Sequence, residues 1–289
     1  MIYLILSIFF ATSLVVILRY FNKWNIHPTY GIVFNYIFCV ITGLFFVDDF
    51  TIFKQMPSWK GFPFNIGLGI AFILVFLLVG KTTQLFGVLT ASIAMKLSFV
   101  IPVVMAIFFY NDSVNLIKIG GIVAAFAAVV LITYERKSKK INTGNKSKLT
   151  PFFPFLIFIG SGFCDATFDY IQNNIPNASW SHPITIVVFA GACSFGLLLN
   201  IGKRDLYQWK NVAGGIILGI PNYFSLYFLL KTLDTLTWQS SIIFPINNLG
   251  IVGLSAIAGV ALFQEKMNTQ KIIGFILAIS SIILIGFLS

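Results

Sequence analysis

Long apolar runs separated by short polar joints dominate the chain from end to end. Runs of about 20 residues, the length that a helix needs to cross the hydrocarbon of a bilayer, recur ten times. They cover residues 2–20, 28–47, 62–80, 85–109, 115–134, 152–172, 183–202, 211–230, 236–262 and 268–288. Stretches such as 70–79 are apolar on every side, whereas the strands of a membrane β-barrel alternate apolar and polar positions. The pattern therefore predicts an all-α integral membrane protein with ten transmembrane helices.

The chain repeats itself at a spacing of about 155 residues. The segments 27–34, 111–115 and 118–121 resemble, in order, the segments 182–189, 264–268 and 271–274. Each half holds five predicted spans, and because five is odd, the second half enters the membrane from the opposite side. The sequence thus predicts two inverted five-helix repeats, 1–134 and 151–289, joined by a basic linker at 135–150. Such repeats are typical of transporters whose substrate site lies where the halves meet.

Composition excludes a water-soluble domain. The chain is 58% hydrophobic and 10% charged, contains 32 Phe, and has a mean hydropathy of +0.92, more apolar surface than one core can bury. Its net charge of +10 resides in short joints rather than in a basic domain, so no nucleic-acid partner is expected. Three cysteines in apolar runs, Cys39, Cys164 and Cys193, indicate neither a disulfide framework nor a zinc site. We expect no metal and no cofactor.

The joints also predict an orientation, because cytoplasmic loops collect Lys and Arg. Alternate joints carry Arg19, Lys23, Lys81, Arg136, Lys137, Lys139, Lys140, Lys146, Lys148, Lys203, Arg204, Lys210, Lys266 and Lys271. The opposite joints carry only Lys54, Lys60, Lys118 and Lys231. This bias predicts that the first set is cytoplasmic and that both termini are not. The linker itself is either a flexible connector that fixes topology or a docking patch for anionic lipid headgroups.

The architecture resembles the drug/metabolite transporter superfamily, in its EamA-like branch. In each half of these proteins a helix, a short acidic turn and a glycine-containing helix end the repeat. The residues that carry the resemblance are Phe108-Phe109-Tyr110-Asn111-Asp112 with Gly120-Gly121, and Ala261-Leu262-Phe263-Gln264-Glu265 with Gly274. The resemblance implies secondary transport of a small metabolite, with export the expected direction, in a bacterial inner membrane. It also implies a structural role for Asp112, Glu265, Gly121 and Gly274.

Two ionisable residues inside predicted spans are the main site candidates. Lys96 lies about ten residues into the fourth span and Asp165 about thirteen into the sixth, which brings both to similar depth. Charged residues inside a membrane are costly and are functional by default. Lys96 would bind a substrate carboxylate, and Asp165, with Asp169 one turn later on the same helical face, would carry a coupling proton. The alternatives are a Lys96 side chain that extends to the interface and a Lys96–Asp165 pair that only docks the two halves.

Neutral polar residues in the spans are candidates to orient the ligand, or else form hydrogen bonds between helices. They are Asn35, Gln84, Asn222, Gln239, Asn247 and Asn248. Pro102, Pro221 and Pro245 interrupt the fourth, eighth and ninth spans and are candidate hinges.

The remaining motifs indicate structural roles. His27 and His182 each precede a proline at a predicted helix start, which is ordinary helix-boundary chemistry. Gly215 and Gly219 form a GxxxG motif, and Gly120, Ala124 and Ala128 form a small-residue stripe; both suit close helix packing. Glu265 and Asp112 each precede a helix, which they are expected to cap.

We therefore expect a secondary active transporter of a small, amino-acid-like molecule that works by alternating access, with proton coupling an open question. Its cavity would be bounded by the third, fourth, eighth and ninth spans with the first and sixth. A carrier or flippase of lipid-like molecules is the alternative. A membrane-embedded enzyme is disfavoured, since clustered catalytic side chains at one membrane face are lacking. The partners are the lipid bilayer and a small-molecule substrate, and the sequence leaves open whether the protein forms a homodimer.

Overall fold

A computed structural model describes residues 1–47, 49–110, 115–134, 152–173, 180–236 and 240–288. In these ranges every regular element is helical. The helices are α1 (Ile2–Tyr20), α2 (Pro28–Leu44), α3 (Ile52–Gln55), α4 (Phe62–Phe86), α5 (Val88–Lys96), α6 (Val100–Tyr110), α7 (Leu116–Tyr134), α8 (Phe153–Asn173), α9 (Ser181–Leu198), α10 (Trp209–Thr235), α11 (Ser240–Phe263) and α12 (Thr269–Phe287). Short 3-10 turns occupy Met56–Ser58, Leu97–Phe99 and Arg204–Tyr207.

Six of these helical segments are long and apolar enough to cross a membrane, counted over the described part of the chain. They are Ile2–Tyr20, Phe62–Phe86, Val88–Met105, Trp209–Thr232, Ile243–Phe263 and Thr269–Phe287. Shorter apolar helices occupy the other four predicted runs, at Pro28–Leu44, Leu116–Leu131, Phe153–Phe168 and His182–Leu198. The chain is therefore an all-α, multi-pass membrane protein.

Large apolar side chains cover the outer surface of the bundle. Phe163 of α8 is 59% exposed, Ile257 of α11 is 64% exposed and Ile276 of α12 is 56% exposed. Apolar exposure on this scale marks contact with lipid in a chain of this composition. Branched side chains pack the interior, among them Val15, Ile93 and Val252, each of them 0% exposed.

Most helix contacts join the first half of the chain to the second. α2 packs against α10 and α9, α4 against α9 and α8, α1 against α10 and α11, and α7 against α12. α5 lies inside, packed against α11, α8 and α4. The two halves therefore form one bundle rather than two separate domains.

Glycines let two pairs of these helices approach to backbone contact. A methyl group on Gly219 of α10 would lie 2.6 Å from the carbonyl oxygen of Asn35 in α2. A methyl group on Gly69 of α4 would overlap the carbonyl oxygen of Val188 in α9. Gly215 faces α2 one turn before Gly219, so the packing role predicted for the GxxxG motif is confirmed.

The small-residue stripe predicted in α7 is right at Ala128, which is fully buried, and wrong at Gly120. Gly120 is exposed, and a methyl group there would meet nothing within 4 Å. Gly121 and Ala125 are buried instead of Gly120 and Ala124, and a methyl group on Gly121 would lie 2.5 Å from Ile285 of α12. Residues at i, i+4 and i+7 share one helical face, so the packed stripe is Gly121, Ala125 and Ala128.

Three long-range hydrogen bonds bring four joints to one end of the bundle. Arg19, at the end of α1, donates to the Thr83 carbonyl near the end of α4 at 3.1 Å. The His27 N–H, before α2, donates to Asn211 Oδ1 in α10 at 3.1 Å. The Val88 N–H donates to Glu265, between α11 and α12, at 2.7 Å. The basic joints that follow the first, third, seventh and ninth predicted spans thus share one face, which we call the basic end.

Candidate functional site

The fourth span contains a turn of tighter helix near its middle, directly after Lys96. α5 ends at Lys96, a single 3-10 turn follows over Leu97–Phe99, and α6 begins at Val100. Pro102 explains the turn, because proline has no N–H to donate to the carbonyl four residues earlier and its ring crowds that carbonyl. That carbonyl belongs to Ser98, inside the turn. The span runs on through the turn, since Lys96, Leu97 and Val100 all keep right-handed helical backbone angles.

α5 is enclosed by other helices, and its last residues face a cavity. Every residue from Val88 to Ala94 is buried, whereas Met95 and Lys96 are partly exposed. Exposed side chains at the inner end of an enclosed helix face a space within the protein.

Asp165 projects into the bundle from α8. It shares a helical face with Phe158 and Ser161, which are 0% and 6% exposed, while Phe163 and Tyr170 on other faces are 59% and 52% exposed. Asp165 nevertheless has an exposed side chain, although it lies deep among protein atoms. An inward-facing carboxylate that is also accessible must line an internal cavity.

Lys96, Ser98 and Asp165 meet in this cavity. The Ser98 hydroxyl lies 2.8 Å from Asp165 Oδ2 and 2.5 Å from the Met95 carbonyl oxygen. The Lys96 ammonium and the Asp165 carboxylate interact electrostatically across the same space. The structure therefore brings together the two ionisable residues that the sequence singled out, beside the 3-10 turn of the fourth span.

The candidate amides of α2 and α10 lie between those two helices. The Asn222 Nδ2 donates to Asn35 Oδ1 at 3.1 Å, and Asn35 is fully buried. Beside them the Cys39 thiol donates to the Gly219 carbonyl at 3.4 Å. These bonds join α2 to α10 next to Pro221, where a proline inside α10 leaves one carbonyl without its helical donor.

Asn247 and Asn248 are buried in α11, at 3% and 9% exposure. Asn247 Oδ1 accepts from the hydroxyl of Ser7 in α1 at 3.2 Å, and that hydroxyl also lies 3.0 Å from the Ser225 carbonyl of α10. Ser7 of α1 thus contacts both α10 and α11. Its partner in α11, Asn247, lies two residues after Pro245, which is inside that helix. A role for these amides in ligand binding stays a prediction.

The remaining candidates are placed elsewhere or lie outside the described residues. Gln84 is three residues from Gly87, at the basic end, where its backbone carbonyl accepts from Arg19. Asp169 follows Asp165 by one turn of α8, but its side chain is not described. Gln239 and Asp112 lie outside the described residues.

Glu265 caps a helix, but not the one predicted. Its Oε1 accepts from the Val88 N–H at 2.7 Å and so caps α5. α12 is capped instead by Asn268, whose Oδ1 accepts from the Lys271 N–H at 2.9 Å. Gly87, with a φ of 95°, sits directly against the Glu265 carboxylate, where a methyl group would lie 2.5 Å from either oxygen. The correction follows from packing, because the fold brings the joint after α11 to the start of α5.

The family-motif glycines occupy packed positions. Gly121 lies against Ile285 of α12, and its carbonyl accepts from the Ser281 hydroxyl at 2.7 Å. Gly274 is buried in α12. Gly121 therefore serves the α7–α12 contact.

The two histidines differ from each other. His27 directly precedes Pro28 and the start of α2, as predicted. His182 lies inside the first turn of α9, and its Nε2 shares a hydrogen bond with the Tyr223 hydroxyl of α10. The Tyr223 and Tyr227 rings stand edge-on to His182, with centroids 5.7 and 5.8 Å from it. His182 is thus part of an aromatic contact between α9 and α10 as well as a boundary residue.

Sequence reasoning missed Ser98, Ser7 and Tyr223. Hydroxyl side chains are common in spans, and nothing in the sequence places α8 beside Ser98 or α11 beside Ser7. One signal was present for Ser98, because it stands four residues before Pro102 and so at the carbonyl that the proline frees.

Comparison with known proteins shows a similarity that covers the chain but indicates no activity. No protein-family model matches the chain. A protein of Haemophilus influenzae described as uncharacterized is 25% identical over 299 aligned positions, which cover 99% of this chain and 97% of the relative. The similarity therefore extends along nearly the whole chain.

Proposed function

We propose that the protein is a secondary active transporter of the drug/metabolite type, similar to the EamA-like branch, that moves a small amino-acid-like molecule by alternating access. The observation that carries the proposal is the meeting of Lys96 and Asp165, one from each half of the chain, beside the 3-10 turn of the fourth span. Secondary transporters built from two repeats bind substrates and ions where the halves meet.

The packing of the helices supports an inverted repeat of ten spans. In such a repeat each helix of the first half corresponds to one of the second: α1 to α8, α2 to α9, α4 to α10, the α5–α6 span to α11, and α7 to α12. Exchanging the corresponding helices should therefore turn each observed contact into another observed contact. The contact between α2 and α10 then becomes the observed contact between α9 and α4, and that between α1 and α10 becomes the one between α8 and α4. Even the glycine contacts correspond, since Gly219 meets a carbonyl of α2 and Gly69 meets a carbonyl of α9.

The shared basic end supports the orientation. Arg19, His27, Val88 and Glu265 tie together four joints that carry an excess of Lys and Arg. By the positive-inside rule this end is cytoplasmic and both termini are on the other side. A bacterial inner membrane fits this proposal.

The chemistry of the site defines the roles of the side chains. The Lys96 ammonium binds the carboxylate of the substrate, at the end of α5. Asp165 binds and releases a proton, which couples transport to a proton gradient. Asn35, Asn222, Asn247 and Asn248 line the contacts between the moving helices and orient the ligand, and Pro102, Pro221 and Pro245 supply bending points as the two halves rock. Export is the direction that we assign.

Uptake into proteoliposomes tests the proposal. The purified protein is reconstituted and offered a panel of radiolabelled amino acids and small metabolites, with and without an imposed pH gradient. Matched controls remove the same charges from exposed residues, with Lys54→Ala beside Lys96→Ala and Asp49→Asn beside Asp165→Asn. We expect gradient-dependent accumulation of at least one solute that both controls retain and that Lys96→Ala and Asp165→Asn lose. Accumulation of nothing, together with scrambling of labelled lipid, would instead favour a lipid carrier.

A further inference from the structure

The Ser98 hydroxyl lies between two acceptors and cannot satisfy both at once. Its oxygen is 2.5 Å from the Met95 carbonyl oxygen and 2.8 Å from Asp165 Oδ2. A hydroxyl carries one proton and two lone pairs, so it donates one hydrogen bond at a time. Which acceptor receives it depends on whether Asp165 itself carries a proton.

The two protonation states of Asp165 require two different hydrogen-bond arrangements. An ionised Asp165 has no proton to give, so Ser98 donates to the carboxylate and leaves the Met95 carbonyl. A protonated Asp165 donates its own O–H to Ser98 Oγ, which frees the Ser98 proton for the Met95 carbonyl. The proton count balances in both states, because only the proton bound by Asp165 is gained or lost.

The Met95 carbonyl belongs to the last turn of α5, next to Lys96. A serine that bonds the carbonyl three residues earlier competes for the local backbone bonds and changes the geometry of the turn. We propose that Ser98 is a positioning residue that transmits the protonation state of Asp165 to the carboxyl end of α5, and so to Lys96. This inference rests on the proposed transport function for its purpose, but not for its test.

The surroundings of Asp165 contain few other charges. In the described part of the chain, Lys96 on α5 and Cys164 on α8 interact electrostatically with it. Asp169 follows one turn later on the same helix. The other helices packed on α8 are α4, α6 and α7, whose ionisable residues stand near helix ends: Lys81, Tyr110, Lys118 and Tyr134.

Infrared difference spectroscopy on the purified full chain in lipid tests the relay without any substrate. The carbonyl stretch of a protonated carboxylic acid is followed through a pH titration, and the Asp165 band is identified by its loss in Asp165→Asn. Since the ionised carboxylate loses a charge-assisted donor in Ser98→Ala, we expect its band midpoint to move to higher pH by about one unit. Ser98→Thr keeps a hydroxyl and should stay near the wild-type midpoint.

Ser161→Ala is the matched control. Ser161 shares the inward face of α8 with Asp165, is 6% exposed, and its hydroxyl has no hydrogen-bond partner among the residues that the structure describes. Its removal should leave the Asp165 midpoint unchanged. If Ser98→Ala does not fold, Ser98→Cys replaces it, because a thiol is a weak donor and should give a smaller shift in the same direction.

A second spectrum reads the other end of the relay. Carbon-13 labelling of methionine carbonyls marks five positions, and Met95→Leu identifies the Met95 component. We expect this component to shift with pH in the wild type and to stay fixed in Ser98→Ala and Asp165→Asn. A Met95 component that titrates equally in Ser98→Ala, or a midpoint in Ser98→Ala equal to that of Ser161→Ala, would overturn the relay. Failure to transport any solute, with these spectra as expected, would overturn only the proposed function.

Discussion

The Glu265 carboxylate accepts a hydrogen bond from the backbone N–H of Val88, 177 positions away, with 2.7 Å between Oε1 and N. This bond fixes the first turn of α5 to the joint between α11 and α12. Lys96 is the last residue of α5. A contact at the basic end of the bundle therefore helps to set the position of the ammonium in the cavity.

Removal of this cap should lower stability. We expect Glu265→Ala to reduce the free energy of unfolding by about 1 kcal/mol, the usual cost of a lost helix N-cap. Glu265→Gln keeps an oxygen that can accept from Val88 and should lose less. The measurement is the thermal midpoint of the protein in detergent. Asp49→Ala is the control, because Asp49 is exposed and accepts hydrogen bonds from Thr51 in its own turn. Equal midpoints for Glu265→Ala and this control would refute the cap.

The close helix contacts make a prediction with an internal control. Gly69→Ala and Gly219→Ala each place a methyl group against a carbonyl of the partner helix, so we expect a loss of about 1–3 kcal/mol from overpacking. Gly67→Ala lies two residues from Gly69 in α4, and its methyl group would meet nothing within 4 Å. That variant should be neutral or gain up to about 1 kcal/mol, since alanine favours a helix over glycine. Unfolding midpoints that rank Gly67→Ala with Gly69→Ala would contradict the packing of α4 on α9.

The stability of the basic end should depend on pH through His27. Partial burial lowers the pKa of His27 below its ordinary 6.5, nearby Lys203 and Lys81 lower it further, and Asp205 opposes them. The unfolded chain therefore takes up this proton at a higher pH than the folded chain does. The His27 contribution is full above 6.5 and is lost as the pH falls from there through the lower folded-state value.

The test compares thermal midpoints of the wild type and His27→Gln between about pH 7.5 and about pH 5. We expect the wild-type midpoint to fall more steeply than that of His27→Gln. Lys203→Ala removes one of the two cations that lower the pKa and should give an intermediate slope. Parallel curves for all three proteins would show that His27 titrates alike in the folded and unfolded chains.

Hydrophobic runs predicted the position of each long helix, but not the short α3 at Ile52–Gln55 and not all of the helix ends. α1 spans the predicted residues 2–20, so both of its ends coincide with those of the apolar run. α4 continues to Phe86 instead of residue 80, since Thr82 and Thr83 are polar in sequence yet fully buried in the structure. The helix ends only at Gly87, whose φ of 95° suits glycine and few other residues.

Only the charged residues of the site could be predicted, because a charge inside an apolar run is visible in the sequence. Lys96 and Asp165 stand out because each costs energy in lipid. Ser98 does not, since its role depends on where α8 lies. Glu265 was assigned the wrong helix for the same reason, because a cap supplied from 177 positions away depends on tertiary packing. Short-range patterns carry no information on such contacts.

The most direct test of the account is a double-mutant cycle at Lys96 and Asp165, read by both solute uptake and thermal midpoint. A transport site in which the two groups act together predicts that Lys96→Ala and Asp165→Asn each lower uptake at least about tenfold, with the double variant no worse than the slower single one. The thermal midpoints should change far less than the uptake rates do. Uptake that stays at the wild-type rate in all three variants, with coupling seen only in the thermal midpoints, would reduce Lys96 and Asp165 to a pair that docks the two halves.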